Sequence, residues 1–231
     1  MVSIITCTMR NECMENLFQN YKRQRWRPKE LIIILNQDDM DIALWKKRAK
    51  SLKNVSIYQK PSHVTLGACL NKGVQLAKYD YIAKFDDDDY YGAYYLKDIM
   101  EAFKKTKADI VGKRTTFCYF ENTGELLIRD PDKENKFVRG IKGPTIVFKK
   151  SIFKTVKFPH LNTREDSRFL RRCKKNGFKI YSTDKYNFTY CRRDFKQHTS
   201  LVSDQFIYRT GKYVTTTSDF RSIVDRKIEK G

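Results

Sequence analysis

The chain has 231 residues, 47 of them lysine or arginine against 27 aspartate or glutamate, for a formal charge of +20. That length accommodates one α/β domain, and the charge excess turns the surface toward polyanions such as nucleic acid, anionic lipid headgroups or charged polymers. No run of about 18 apolar residues exists, Arg10 interrupts the amino terminus too early for a signal peptide, and six scattered cysteines show neither CxxC nor zinc spacing. The expectation is therefore a cytoplasmic protein with free thiols that touches a membrane at most peripherally, at its inner face.

In chain order, β-branched runs at 2–6, 30–35, 55–58 and 81–85 read as strands. Segments 12–25, 41–52 and 66–78, with apolar residues at three- and four-residue spacing, read as the helices between them. Leu66, Cys69, Leu70, Val74 and Ala77 mark the clearest such face and read as core. Alternation of this kind predicts βαβ units and a mainly parallel, Rossmann-like sheet flanked by helices. Beyond Gly112 the pattern changes to short strands and turns, with a hairpin turn at 121–124 and a tight glycine loop at 142–145. Helices are expected at 151–156 and 166–176, the latter closed by Gly177, and 219–229 reads as a terminal helix or a frayed tail. The whole is expected to be one domain, 1–112 forming a nucleotide-binding half and 113–231 an acceptor-binding half with a smaller mixed sheet.

Asp86, Asp87, Asp88 and Asp89 follow the fourth strand directly. Unit charges about 4 Å apart repel by roughly 1 kcal/mol even in water, so four carboxylates at a strand end call for a cation. A hard divalent ion suits them, since such ions take oxygen ligands and leave positions open for substrate phosphates. The alternative is a solvated acidic loop capping a helix that starts near Tyr94. Polar residues recur at the ends of three strands, in 8–11, 36–39 and 86–89, where open α/β sheets bind ligands. A GxxxxGK[ST] loop and a GxGxxG turn are both missing, which counts against a nucleoside triphosphatase and a nicotinamide dehydrogenase.

These residues together resemble the family-2 glycosyltransferases of the GT-A fold. The stretch from Val2 to Thr8 is similar to that family's first strand, with Cys7 in place of the usual proline. The stretch from Glu30 to Asn36 is similar to the second, with Asn36 where an aspartate grips the base. Asp86 and Asp88 match the DxD acids, and Gly143-Pro144-Thr145 with the strand after it matches the glycine loop. Glu165-Asp166 resembles the second acidic signature, an acid pair opening a helix; a capping box led by Thr163 accounts for the same residues structurally.

The resemblance implies a metal-dependent, inverting transfer of a sugar from a nucleotide sugar, a UDP-sugar first, to a hydroxyl acceptor in cell-surface glycan or glycoconjugate synthesis. It assigns Asp166 as general base and Asp88, Asp86 and His198 to Mn²⁺ or Mg²⁺. It assigns Thr8, Arg10, Asn36, Asp86, Asp87 and Arg193 to the nucleotide sugar. The acceptor is expected to be a glycan, lipid-linked or anionic, with peripheral contact to an anionic membrane and no specific nucleic acid. Two rivals remain at this stage. One is a non-catalytic polyanion or nucleic-acid binder, suggested by the charge and by Tyr186, Phe188, Tyr190 and Phe195 among basic residues. The other is a sugar nucleotidyltransferase, disfavoured because 7–13 contains no glycine.

Overall fold

A computed structural model describes residues 1–193 and 202–227 of the chain. The first half forms strands β1 (Val2–Thr8), β2 (Lys29–Leu35), β3 (Val55–Gln59) and β4 (Tyr81–Lys84), joined through helices α1 (Met14–Arg23), α2 (Ile42–Ala49) and α3 (Leu66–Leu76). These strands run parallel, in the spatial order β3-β2-β1-β4. Both faces of the sheet are covered, which explains why the strands read as continuous apolar runs and not as alternating ones. Ile4 and Ile33 pack toward Phe18 and Trp45 on one side, whereas Ile5 and Ile34 join Cys69, Leu70 and Val74 of α3 on the other.

Short strand β5 (Tyr90–Tyr91) and helix α4 (Tyr95–Lys105) come next, followed by β6 (Ile110–Gly112), β7 (Thr116–Phe120), β8 (Glu125–Arg129), β9 (Lys136–Phe137) and β10 (Val147–Lys149). Helix α5 (Glu165–Lys175), β11 (Ile180–Ser182), β12 (Phe188–Arg192), α6 (Asp204–Thr210), β13 (Lys212–Thr216) and α7 (Arg221–Val224) complete the order. The large sheet continues beyond β4 as β10-β6-β11-β9, with β10 antiparallel to both of its neighbours. A second sheet has the order β13-β8-β7-β12-β5. The expected hairpin turn joins β7 to β8, and Gly124 takes the left-handed φ of +70° that the turn requires.

Three details differ from the sequence expectations. The helix expected at 151–156 is a 3-10 turn, Lys150–Lys154, because β-branched Thr155 and Val156 and then Pro159 do not extend it. Helix α5 is not capped by Thr163: its N-cap is Arg164 at a left-handed φ of 61°, with no side-chain cap hydrogen bond. The tail at 219–227 forms only the four-residue α7. All six cysteines are free, and among the described residues no helix is long and apolar enough to cross a membrane.

Candidate functional site

The parallel run of β1, β2 and β4 brings their carboxyl ends to one edge. There the Asn36 amide N–H donates to the Thr8 carbonyl at 2.7 Å, tying the ends of β2 and β1 together. Strand β10 runs the opposite way beside β4, so its amino end reaches the same edge, with the Lys84 amide donating to the Ile146 carbonyl at 2.9 Å. The loop Gly143–Thr145 thereby lies next to the acid run, although some sixty residues of sequence separate them.

The four aspartates are not equivalent. Asp87 and Asp89 are buried, at 4% and 3% exposure, and turn to internal partners. Asp87 accepts from the Thr8 hydroxyl and from the Arg10 guanidinium, while the Asp89 carboxylate accepts from the Cys191 amide at 3.2 Å. Asn16 donates to both the Asp87 and Asp89 carbonyls, at 2.7 and 2.9 Å, and Asn20 donates to that of Asp89 at 2.8 Å. The side chains of Asp86 and Asp88 keep 32% and 17% exposure. The bend at 87–89 turns two of the acids inward and leaves Asp86 and Asp88 partly exposed, and the burial and hydrogen bonding of Asp87 and Asp89 exclude the solvated-loop alternative.

Lys84, buried on β4 with its side chain only 6% exposed, joins this acid to another far along the chain. Its ammonium lies 2.5 Å from Asp86 Oδ1 and 3.0 Å from Asp166 Oδ2 at the start of α5. Burial opposes the charge on Lys84, but Asp166 and Asp86 outweigh it and hold its pKa well above the ordinary lysine value. Gly143 closes the other side of Asp166, and a Cβ built there would sit 2.1 Å from Asp166 Oδ2. The second oxygen, Asp166 Oδ1, is buried and has no hydrogen-bond partner. Such an orphaned acceptor costs free energy unless a ligand group reaches it.

Burial, with Asp166 and Asp88 adding repulsion against the Lys84 ammonium, raises Asp86 to about 6. Burial and then Asp166 raise Glu165 to about 7, and burial first, then Asp88 and Asp86, push Asp89 well up. Six carboxyl groups, Asp86 to Asp89 with Glu165 and Asp166, face three cations, Lys84, Arg10 and Arg193. The centre therefore retains an excess of negative charge that a further cation would relieve. Hard oxygen donors on alternate, partly exposed residues fit a divalent ion that keeps open positions. Among the described residues no group of three or more His, Cys, Asp or Glu side chains could by itself hold a metal ion.

The structure thus brings Thr8, Arg10, Asp86, Asp87, Asp88 and Asp166 into one cluster. Arg193 joins it by donating to the Asp88 carbonyl at 2.8 Å while pairing with Glu121 at 3.1 Å. Asn36 stands apart from the acids, its side-chain amide donating to the Pro61 carbonyl at 2.9 Å. His198 lies outside the described residues. Sequence reasoning missed Lys84 and Tyr91. The Tyr91 hydroxyl accepts from the Asp86 amide and donates to the Pro144 carbonyl, both at 2.8 Å, locking the acid run to the glycine loop. A lysine inside an apolar strand two residues before the acids was the available signal, since lysine is rarely buried without a partner.

The model of glycosyl transferase family 2 matches residues 3–161, more than two thirds of the chain. The chain belongs to glycosyl transferase family 2. Solved structures of S. aureus TarS share the fold. The fragment 1–349 in complex with UDP-GlcNAc superposes with a TM-score of 0.69 at 16% identity, covering 90% of this chain and 63% of that one. The same fragment with UDP gives 0.64 at 15% identity over 90% and 62%, and TarS itself gives 0.60 at 15% over 83% and 36%. This family member therefore spans about three fifths of the TarS fragment. No curated protein sequence matches it. The expected GT-A fold is the one found.

Proposed function

We propose that this family-2 member transfers a sugar with inversion from a nucleotide sugar, a UDP-sugar first, to a hydroxyl acceptor, with Asp166 as general base. The observation that carries the reading is the Asp166 carboxylate itself. One oxygen is fixed between Lys84 and Gly143, and the other is buried and has no hydrogen-bond partner, which leaves it an acceptor for the proton of a hydroxyl that displaces its covering. Asp86 and Asp88 would hold Mn²⁺ or Mg²⁺, which when bound offsets charge on the departing diphosphate. Arg10 and Arg193 hold the Asp88 end of the run in place, and Thr8 fixes Asp87 behind it. Lys84 keeps Asp166 oriented beside the donor acids. Asn36, with its amide nitrogen committed to Pro61, offers its oxygen to the base.

The TarS fragment binds UDP-GlcNAc and UDP, which supports a uracil nucleotide as the donor's leaving group. In this reading residues 1–112 serve the nucleotide and 113–231 the acceptor, at the cytoplasmic face where glycoconjugates are built. The polyanion-binder rival fits less well, since it gives no role to a buried acid cluster. Calorimetry of UDP with and without Mn²⁺ tests the donor half. Metal-dependent binding is expected in the wild type and its loss in Asp88→Ala. Asp166→Asn should keep that binding and lose transfer, and normal turnover in this variant would remove the base assignment.

A further inference from the structure

Asp130, just beyond β8, lies among several cations. Arg114 Nη2 lies 3.0 Å from its Oδ1, and the Lys142 ammonium contacts its Oδ2. Arg129 adds to the field on both, yet no carboxylate lies within ion-pairing distance of it among the described residues. Its guanidinium instead lies 5.2 Å over the ring of Tyr190. Three cations therefore share one carboxylate, and one of them stacks on an aromatic face.

The place of this cluster matters. Lys142 immediately precedes Gly143, the residue pressed against Asp166. Tyr190, beneath Arg129, is partly buried and lies within the electrostatic reach of Asp86, Asp89 and Lys84. The cluster is thus linked to the acid centre through Gly143 on one side and the Tyr190 ring on the other. Its own residues resent the arrangement: burial first, and then Arg129, bring the Lys142 ammonium down to about 8, with Arg114 adding to the repulsion and Asp130 opposing it. An added anion would relieve that repulsion, and guanidinium pairs suit phosphate and carboxylate oxygens.

We infer that Arg129, Lys142 and Arg114 form a subsite for an anionic group, phosphate or carboxylate, carried by the acceptor beside the hydroxyl that is glycosylated. The inference rests on the glycosyltransferase reading above and narrows its acceptor to an acidic one. The +20 charge of the chain would attract any polyanion, so the test must separate this subsite from general attraction.

The experiment is calorimetry of the protein, saturated with UDP and Mn²⁺, against four probes. These are a short phosphodiester-linked polyol, a uronic-acid disaccharide, its neutral methyl ester, and inorganic phosphate alone. An anionic probe should bind at least about tenfold more tightly than the neutral ester, and whether the phosphodiester or the uronate leads identifies the source of the charge. Arg129→Gln and Lys142→Met should each weaken the preferred anion about tenfold with UDP affinity unchanged. Arg171→Gln/Arg172→Gln, two exposed sites on α5, should leave it unaltered. If Lys142→Met melts early, Arg114→Gln at a more exposed position replaces it.

Equal binding of the charged and neutral disaccharides, no binding of any anion, or an equal loss in the α5 control would each overturn the subsite. Failure of wild-type protein to bind UDP would sink the donor-site reading instead. The anion titrations, repeated without nucleotide, would still decide this one.

Discussion

Replacing Gly143 by alanine adds one methyl group at the contact with the proposed base. Gly143 has no left-handed φ, so the effect of alanine comes mainly from the contact, with a smaller contribution from the Cβ beside Pro144. The new Cβ would stand 2.1 Å from Asp166 Oδ2 and 2.9 Å from its Cγ. Separations under 3.0 Å are essentially never seen for a real Cβ, so the two groups must part by about 1 Å. Asp166 cannot yield freely, because Lys84 holds the same oxygen at 3.0 Å and α5 carries its backbone. A misplacement of about 1 Å at a reacting group costs on the order of a hundredfold, close to 2.7 kcal/mol of barrier. Turnover should fall by that factor while UDP affinity changes less than about twofold, since the loop touches the base and not the Arg10 side of the acids. Overpacking should also lower stability by roughly 1–3 kcal/mol, read from a melt. Turnover within a few-fold of wild type would refute the reasoning, showing either that the loop moves aside at no cost or that Asp166 does not take the proton.

Two further outcomes follow from the same centre. Glu165 has a folded pKa of about 7 against an ordinary 4.5, so between those values the folded state holds a proton that the unfolded chain releases. Stability contributed by this group is therefore present at low pH and declines as pH rises from about 4.5 to 7, and Glu165→Gln should stabilise by up to roughly 3 kcal/mol above pH 7 and little at pH 4, measured by urea melts. A pH-independent difference would refute it. Tyr91→Phe leaves the Asp86 amide and the Pro144 carbonyl without their shared partner in a buried site, so it should cost about 2–4 kcal/mol in the same assay. A loss under about 1 kcal/mol would mean that water replaces the hydroxyl.

The first half of this architecture was legible because its signals are local. Apolar runs with caps and periodic helices gave β1 to β4 and α1 to α3 to within a few residues, and the acid run and the Glu165-Asp166 pair stood at element ends where the chemistry belongs. What was not legible depended on pairing between distant segments. Strand β10 has only three residues, and nothing within them says that they lie antiparallel between β4 and β6. Lys84 was read as part of a strand, and its link to Asp166 across 82 positions has no counterpart in local pattern. The Arg164 cap was missed because a left-handed arginine has no sequence preference to reveal it. Arg114, Arg129 and Lys142 are separated by enough chain that their convergence appears only after β7, β8 and the glycine loop are folded.

The antiparallel placement of β10 also bears on how the protein is made. Val147 pairs with Ala83 on one side and Val111 on the other, so until the ribosome has released residue 149 the exposed edge of β4 has no neighbour. Lys84 likewise faces Asp86 without its second carboxylate until residue 166 has been made. Completion of the ion pairs around Lys84 thus needs segments made only after more than half of the polypeptide exists. A truncated product ending before β10 would display an unpaired edge of β4, a feature that invites aggregation and recognition by chaperones.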